Sequence, residues 1–256
     1  KFKLVDKQIF EAAAKAEGNL TIYASTMSER ALRYRACRGI LDQDEQMGLL
    51  VMRVSGAMHG RHYYPAVAGV GFSFNPYAWS PDIDPKAGVL RLVFGLGTRA
   101  VNRFDDDYTR VVALNAPTRR PEANLDEIRQ YAQRRVDYLD LEANQLVSGY
   151  FADVIKEVPD LPMNLFASSD RRQRDTPAGR ALVLTFDRLL SETEFVNDMR
   201  EMLSTLQAAY DYPVDIEFTV NFLDDRQYKI NLVQCRPLQV QGSASITIPD
   251  VKEAPA

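Results

Sequence analysis

Four polar side chains near the end of the chain are of types that could bind a metal-bound phosphate. They lie in VDIEFTVNFLDDRQYKINLVQCRPLQV, residues 214–240. One apolar segment carries Asp215 and Glu217, and the next carries Gln234 and Arg236. Carboxylate and amide oxygens suit Mg²⁺, which takes its remaining ligands from water and phosphates. A guanidinium can hold a phosphate through two parallel hydrogen bonds.

A β-hairpin is the element that would bring these four side chains together. A two-residue turn at positions 224 and 225 would place Asp215 opposite Gln234 and Glu217 opposite Leu232. Side-chain alternation would then put both carboxylates, the amide and the guanidinium on one face, whereas a longer turn would shift the register. Two interpretations stay open: the amide and one carboxylate bind an ion together, or the arginine pairs with a carboxylate on a salt-bridged sheet surface.

Composition restricts the class of protein. The chain has 256 residues, 46% of them hydrophobic and 26% charged, which is typical of a soluble globular protein with one large domain or two small ones. Its 31 basic and 35 acidic residues are interspersed and give a net charge of −4, so charge offers no argument for nucleic acid or an anionic membrane. No apolar run is long enough to span a bilayer. The two cysteines, Cys37 and Cys235, are far apart, which favours a reducing cytoplasm over a structural zinc site.

The hydrophobic patterns predict an α+β fold. Residues 1–40 are predicted to be helical, with an apolar face that includes Met27 and Tyr34 and with Gly39 as the C-cap. Apolar runs predict buried strands at residues 47–56, 66–76, 88–97, 105–115 and 181–186. Because these runs are close together in the sequence, an antiparallel sheet is favoured over βαβ units.

The clearest predicted helix runs from Ser191 to Tyr210. Ser191 and Glu194 have the spacing of a capping box. One face is apolar at helix spacing, with Phe195, Met199, Met202, Leu203, Leu206 and Tyr210. Pro213 then ends the helix before the hairpin, and Asn124 is predicted to cap a second helix in NLDEIRQYAQRR.

The two histidines, His59 and His62, are a second candidate site. Histidines three positions apart can bind a metal, but no third ligand accompanies them in the sequence. A loop between two strands is therefore the favoured interpretation. The sequence contains neither a phosphate-binding P-loop nor a G-x-S-x-G nucleophile motif.

Six stretches occur in an order that matches one known domain. DIEF and LVQCRP are similar to an acidic D-I-E strand followed by a Q-x-R-P strand. Upstream, SERALRYRACRGI is similar to an R-A-x-x-Y-R helix, and MGLLVMRV is similar to a V-Q-x-M-V strand. AGVGFSFNP is similar to a G-V-x-F-T strand, and GLGTRAVNR is similar to a G-L-G-E-x-V-V segment. Together they cover roughly residues 28–103 and 187–238. The chain thus resembles the nucleotide-binding domain of the phosphoenolpyruvate synthase and pyruvate phosphate dikinase family, which implies an ATP-grasp fold with ATP between two α+β lobes.

The resemblance implies roles for particular residues. Glu217 and Gln234 would hold Mg²⁺ and the ATP phosphates, and Arg236 would contact a phosphate as the catalytic residue. The backbone around Arg53 and Val54 would meet the adenine, since an extended backbone offers the base edge an N–H and a C=O. The parent protein would be a cytoplasmic phosphotransferase that passes a phosphoryl group from ATP, through a histidine carrier, to pyruvate or a related acceptor.

The resemblance also implies how the chain is organised. Residues 1–240 would form a partial ATP-grasp domain, helical at 1–40 and sheet-rich at 47–240, and residues 241–256 would be a linker. The upstream lobe, which supplies a phosphate-binding lysine and arginine in the family, has no match here. The chain is therefore expected to be a fragment with an incomplete N-terminal lobe. Alone it should bind ATP weakly and be inactive, and its partners should be ATP and other domains of the parent chain.

Some positions depart from the family pattern. The family has Gln, Glu and Gly at the positions of Met52, Thr98 and Arg103, respectively. The spacing from Glu217 to Gln234 is also longer than in the family, which suggests an enlarged hairpin tip. These departures leave a second hypothesis open, a non-catalytic nucleotide-binding or regulatory module descended from the family. The sequence of the whole parent chain would separate the two hypotheses.

Overall fold

The structure is a computed structural model that describes residues 24–44, 52–75, 78–101, 107–158, 161–169, 182–224 and 227–238. Within these ranges, helices α1 to α7 lie at Glu29–Arg38, Thr98–Val101, Leu125–Gln130, Phe151–Val154, Met163–Phe166, Asp187–Glu192 and Phe195–Tyr210. Strands β1 to β11 lie at Ala57–His59, His62–Tyr64, Val67–Phe72, Val89–Val93, Arg110–Ala113, Arg135–Asp140, Gln145–Tyr150, Ala167–Ser169, Leu182–Leu184, Val214–Phe222 and Tyr228–Pro237. Short 3₁₀ turns lie at Pro85–Ala87 and Ile155–Glu157.

The described strands form three sheets. The largest has five strands in the order β11-β10-β3-β4-β5, the second has the order β1-β2-β6-β7, and β8 pairs with β9. Every pairing between these strands is antiparallel, which confirms the predicted α+β class and antiparallel sheet. The hairpin therefore lies at one edge of the largest sheet.

The chain divides into two compact units, Lys1–Val54 and Ser55–Ala256. In the first unit, α1 begins after Ser28, whose hydroxyl accepts the Ala31 N–H at 3.3 Å. It ends at Gly39, whose φ of 66° is the left-handed conformation that favours glycine, as predicted. The predicted apolar face is wrong for this helix, because none of the residues of α1 is buried. Four of its ten residues are arginines. Residues 1–23 lie outside the described part of the chain.

The strand predicted at residues 47–56 is absent where the structure describes that segment. Residues 52–56 pair with no described strand, and β1 begins only at Ala57. Met52 and Val54 are exposed. The prediction is wrong for this part because an apolar run does not show whether a neighbouring strand is available to cover it. Residues 45–51 lie outside the described ranges.

The main core of the second unit packs against one face of the largest sheet. Alternate residues of β10, Ile216, Phe218 and Val220, are buried in it together with residues of α7. The rings of Phe195 and Phe218 meet with their centroids 6.2 Å apart. Burial of each such side chain contributes about 1.5–3 kcal/mol, so this packing stabilises the sheet. The polar residues Asp215 and Glu217 alternate with these residues and lie on the other face, beside a smaller apolar cluster.

Helix α7 confirms the predicted apolar stripe, since Phe195, Met199 and Leu203 are buried. Its predicted start is wrong, because the segment is broken into two helices. Ser191 lies in the last turn of α6, where its hydroxyl donates to the Asp187 carbonyl at 2.8 Å and cannot cap α7.

Thr193 makes the junction between these two helices. Its hydroxyl donates to the Leu189 carbonyl at 2.6 Å and accepts the Phe195 N–H at 3.2 Å. The hydroxyl thus joins the end of α6 to the start of α7.

The structure confirms the predicted cap at Asn124 and places both histidines in a short hairpin. The Asn124 side-chain oxygen accepts the N–H groups of Asp126 and Glu127, both at 3.0 Å, and caps α3. His59 and His62 flank the turn of the β1–β2 hairpin and are both buried. The histidine rings contact tyrosine rings in a tilted arrangement, with centroid distances of 4.6 Å and 4.0 Å. The histidines are the last residue of β1 and the first residue of β2 and pack within the second sheet, whereas the sequence predicted a loop between two strands.

Tyr228 ties the hairpin to helix α7. Its hydroxyl donates to the Asp198 carboxylate at 2.5 Å, and burial together with this hydrogen bond raises the pKa of Tyr228. We expect Tyr228→Phe to lower the free energy of unfolding by about 1 kcal/mol, since the carboxylate loses a donor. Urea denaturation would measure the change, with exposed Tyr212→Phe as the control. Equal midpoints for the two variants would contradict the proposed tie.

Candidate functional site

The hairpin of β10 and β11 brings the four predicted side chains onto one face in two cross-strand pairs. Glu217 is directly opposite Gln234, and Asp215 is directly opposite Arg236. Glu217 is half-buried, Asp215 is only 6% exposed, and the amide and guanidinium are exposed. The shared face that side-chain alternation predicts is present, but the partners differ from those expected.

The predicted register is wrong because the loop is longer than two residues. The strands end at Phe222 and resume at Tyr228, and the Leu223 N–H donates to the Gln227 carbonyl at 2.8 Å across the loop. Near the tip, each residue of β10 is therefore paired with a residue of β11 one position later than the two-residue turn would give; Phe222, for example, pairs with Tyr228. A shift of one residue moves side chains to the opposite face of a sheet.

A β-bulge restores the side-chain alternation at the base of the hairpin. Phe218 pairs with Leu232 and Glu217 pairs with Gln234, so Val233 is an extra residue on β11. Without this insertion, the register of the tip would put the amide and the carboxylate on opposite faces. Bulges are a common means of redirecting a side chain next to a functional site.

The two cross-strand pairs of the hairpin continue as rows of directly paired residues across the largest sheet. One row is Gln234, Glu217, Val70, Arg91 and Val111, and the adjacent row is Arg236, Asp215, Phe72, Val89 and Ala113. Directly paired residues of neighbouring strands share a face. The candidate site thus has a floor of valine and phenylalanine beside its polar groups.

An ion pair orients the arginine of the site. The Nε and Nη2 atoms of Arg236 both donate to one oxygen of Asp215, at 2.9 Å and 2.8 Å. The arginine side chain is 56% exposed, so its remaining N–H groups can reach another acceptor. The second oxygen of Asp215 is buried and has no hydrogen-bond partner among the described residues. The aspartate therefore fixes the guanidinium beside Glu217.

The Glu217 carboxylate makes no ion pair within the part of the chain that the structure describes. The same part contains no cluster of three or more histidine, cysteine or acidic residues that could hold a metal. A divalent ion at Glu217 and Gln234 would therefore take most of its ligands from phosphate and water, which is the usual mode for Mg²⁺. The metal ligands stay a prediction.

A serine-centred cluster continues the polar face toward the hairpin tip. Thr219, Asn221 and Asn231 donate to the Ser55 hydroxyl oxygen at 2.7 Å, 3.1 Å and 3.1 Å. Sequence reasoning missed this cluster, although alternating polar residues on β10 were a signal. The three bonds fix the start of the second unit against both strands of the hairpin.

Arg53 and Val54, which were predicted to meet adenine, belong to the first unit. Both are exposed, and neither lies in a strand. Their contact with adenine stays a prediction.

The glycine turn after β4 is held by a buried ionic network centred on Arg99. Its Nε donates to Asp137 at 3.0 Å, its Nη1 to Asp107 at 2.9 Å and its Nη2 to the Ser148 hydroxyl at 2.7 Å. The Thr98 hydroxyl donates to the second oxygen of Asp137 at 2.6 Å. Thr98, the residue that stands where the resembled family has Glu, thus helps to hold Asp137 in place.

Gly95 in this turn is required by close packing. Its φ is 91°, and a Cβ atom there would lie 2.6 Å from the Val136 side chain and 2.8 Å from the Asp137 carbonyl oxygen. A strand-end turn therefore explains this glycine without a bound phosphate.

A model of a protein family described as pyruvate phosphate dikinase, AMP/ATP-binding domain, matches residues 9–254. The chain belongs to this family. The match covers nearly the whole chain, which confirms the resemblance read from the six stretches, and the α+β fold is ATP-grasp-like. A comparison with curated protein sequences found no significant match. Among the described helices, none has the length and apolar character needed to cross a membrane.

Proposed function

We propose that this dikinase-family domain binds ATP with Mg²⁺ for a phosphotransferase, which passes a phosphoryl group through a histidine carrier to pyruvate or a related acceptor. Family membership supports the nucleotide and the type of reaction. The observation that carries the proposal is the direct pairing of Glu217 with Gln234 beside an arginine that Asp215 holds in place.

The three side chains would do different work. Mg²⁺, when bound, would neutralise phosphate charge, and Glu217 and Gln234 would hold it with one charged and one neutral oxygen. Arg236, already oriented by Asp215, would bind a phosphate oxygen and stabilise the charge that develops during transfer. Phosphoryl transfer needs mainly positioning and charge stabilisation from a protein, and these residues are suited to both.

Other parts of the chain have roles that rest on the family alone. The backbone of Arg53 and Val54 would bind the adenine edge as an extended hinge. Residues 1–240 would form the nucleotide-binding domain and residues 241–256 a linker to other domains of the parent protein. The histidine carrier would belong to one of those domains.

A second candidate function is nucleotide binding without phosphoryl transfer. Thr98 favours it, because this residue stands at the family's glutamate position and its hydroxyl is committed to Asp137. A full-length protein that binds Mg·ATP but never consumes it would support this alternative over the transferase.

Metal removal tests the transferase proposal. With full-length protein, ATP and pyruvate, we expect product formation to cease when excess EDTA removes divalent cations and to recover when Mg²⁺ is added back, because phosphate charge must be neutralised during transfer. The thermal midpoint, measured with and without EDTA, shows whether the fold is intact. Unchanged turnover without divalent cations would contradict the proposal.

A further inference from the structure

A small cavity lies at the start of β5. Its volume is about 10 Å³, which is about the room that one water molecule needs. Charged side chains of Arg110, Arg120 and Glu122 line it, beside apolar side chains of α3 and β9. Because the side chain of Arg110 alternates with that of Val111, it lies on the opposite face of the largest sheet from the candidate functional site. The cavity is therefore separate from the proposed nucleotide site.

The guanidinium of Arg110 has an unsatisfied donor inside the protein. Arg110 is only 6% exposed, and its Nη1 and Nη2 atoms donate to the carbonyls of Val111 and Pro117 at 2.7 Å and 3.2 Å. Its Nε atom is buried and has no hydrogen-bond partner among the described residues. Burial, followed by the charge of Arg120, lowers the pKa of Arg110 to about 10, so the group is still charged at neutral pH. A buried charged donor without an acceptor is costly, which indicates a further acceptor beside Nε.

Glu122 has a matching unsatisfied acceptor. Its side chain is 14% exposed, and its Oε2 atom is buried without a hydrogen-bond partner in the described part of the chain. The Nη1 atom of Arg120 lies 3.9 Å from this oxygen, which is too far for a hydrogen bond. A water molecule commonly bridges polar atoms at such a separation. The pair of Arg120 and Glu122 therefore has the spacing of a water-mediated contact.

One water molecule satisfies these three atoms together. Its two lone pairs can accept the N–H groups of Arg110 Nε and Arg120 Nη1, and one of its hydrogens can be donated to Glu122 Oε2. Buried waters typically make about three hydrogen bonds to otherwise unsatisfied polar groups. A chloride ion fits the cavity less well, because it is larger than water, has no proton to donate and would be repelled by the Glu122 carboxylate.

We propose that this cavity is a binding site for one structural water, which joins Arg110 of β5 to Glu122 and Arg120. The Nη2 atom of Arg120 donates to the Thr185 carbonyl at 2.8 Å and to Asp187 at 2.6 Å, at the start of α6. The water thus completes a chain of contacts from the edge strand of the largest sheet to that helix. The inference does not depend on the proposed nucleotide function.

A high-resolution crystal structure of the full-length protein tests the site directly. We expect a single peak of electron density within about 3.2 Å of both Arg110 Nε and Glu122 Oε2. Crystals soaked in bromide should show no anomalous signal at this peak. A cavity without density would overturn the proposal. A bromide signal would overturn it as well, because the ligand would then be an anion.

Oxygen-17 magnetic relaxation dispersion tests the site in solution, because it detects waters that stay bound inside a protein. Glu122→Met removes the acceptor and should lose the signal of one long-lived water relative to wild type. Glu142→Met is the matched control, since Glu142 is exposed, and it should keep the wild-type signal. Arg110→Met, which removes the donor, replaces the first variant if that variant does not fold. A wild-type signal in either cavity variant would contradict the proposal.

Discussion

Glu217→Gln in the full-length protein is expected to lower ATP-dependent turnover by about 10–100-fold or more, by analogy with the cost of disturbing a metal's outer shell. The substitution keeps the size and hydrogen-bonding capacity of the side chain but removes the negative charge that makes a carboxylate a good Mg²⁺ ligand. The thermal midpoint should change little, because no described residue forms an ion pair with Glu217. Turnover and thermal midpoint should be measured on the same preparation.

Glu201→Gln is the control for the Glu217 prediction. Glu201 is an exposed residue of α7, so the same chemical change there should leave turnover at the wild-type level. The alternative view of Glu217 as part of a scaffold predicts about 0–1 kcal/mol of lost stability and full activity. An active Glu217→Gln protein would support that view, and the transferase proposal should then be dropped.

Asp137→Ala is expected to cost about 3–5 kcal/mol of folding free energy, the largest stability effect that we predict. Arg99 is only 7% exposed, and the variant would leave its guanidinium without one of its two carboxylate partners. The Thr98 hydroxyl would lose its acceptor as well. For a domain of this size the thermal midpoint should fall by roughly 2–4 °C for each kcal/mol.

An exposed ion pair provides the control for Asp137. Asp153 pairs with Lys156 at 2.8 Å, and the aspartate side chain is 67% exposed. Asp153→Ala should therefore change the free energy of unfolding by about 0–1 kcal/mol. Similar losses for the two variants would mean that the Arg99 network does not hold the glycine turn in the way its contacts indicate.

Local patterns predicted much of the fold because they depend on residues that are close in sequence. The stripe at Phe195, Met199 and Leu203 is buried as its helical period indicates. The strands at β3, β4, β5 and β9 lie within the predicted apolar runs. The cap at Asn124 also follows from its own segment. Each of these features needs no knowledge of distant partners.

In the hairpin, the effects of a longer loop and of a β-bulge on side-chain direction cancel. The longer loop shifts the pairing by one residue, and the bulge at Val233 shifts it by one more, so the side chains of Glu217 and Gln234 return to one face. The expectation of a shared face therefore held although the expected pairs were wrong. Neither the loop length nor the bulge has a glycine signal in the sequence.

Contacts between residues that are far apart in the sequence could not be predicted from local sequence patterns. The network of Arg99 joins Asp107 and Asp137, which are separated along the chain and have no shared motif. The exposure of Met52 and Val54 also depends on whether another strand covers them. The capping-box pattern at Ser191 failed for a related reason, because the preceding residues already formed a helix.

Calorimetric titration of ATP into the full-length protein, with Mg²⁺ and with EDTA, tests the central claim most directly. That claim is that Glu217 and Gln234 hold a metal-bound nucleotide. Wild-type protein should bind ATP more tightly with Mg²⁺ than with EDTA, and Glu217→Gln should lose most of that difference while still binding metal-free ATP like wild type. Equal dependence on Mg²⁺ in the wild-type protein and in Glu217→Gln would contradict the claim, because the metal would then be held elsewhere.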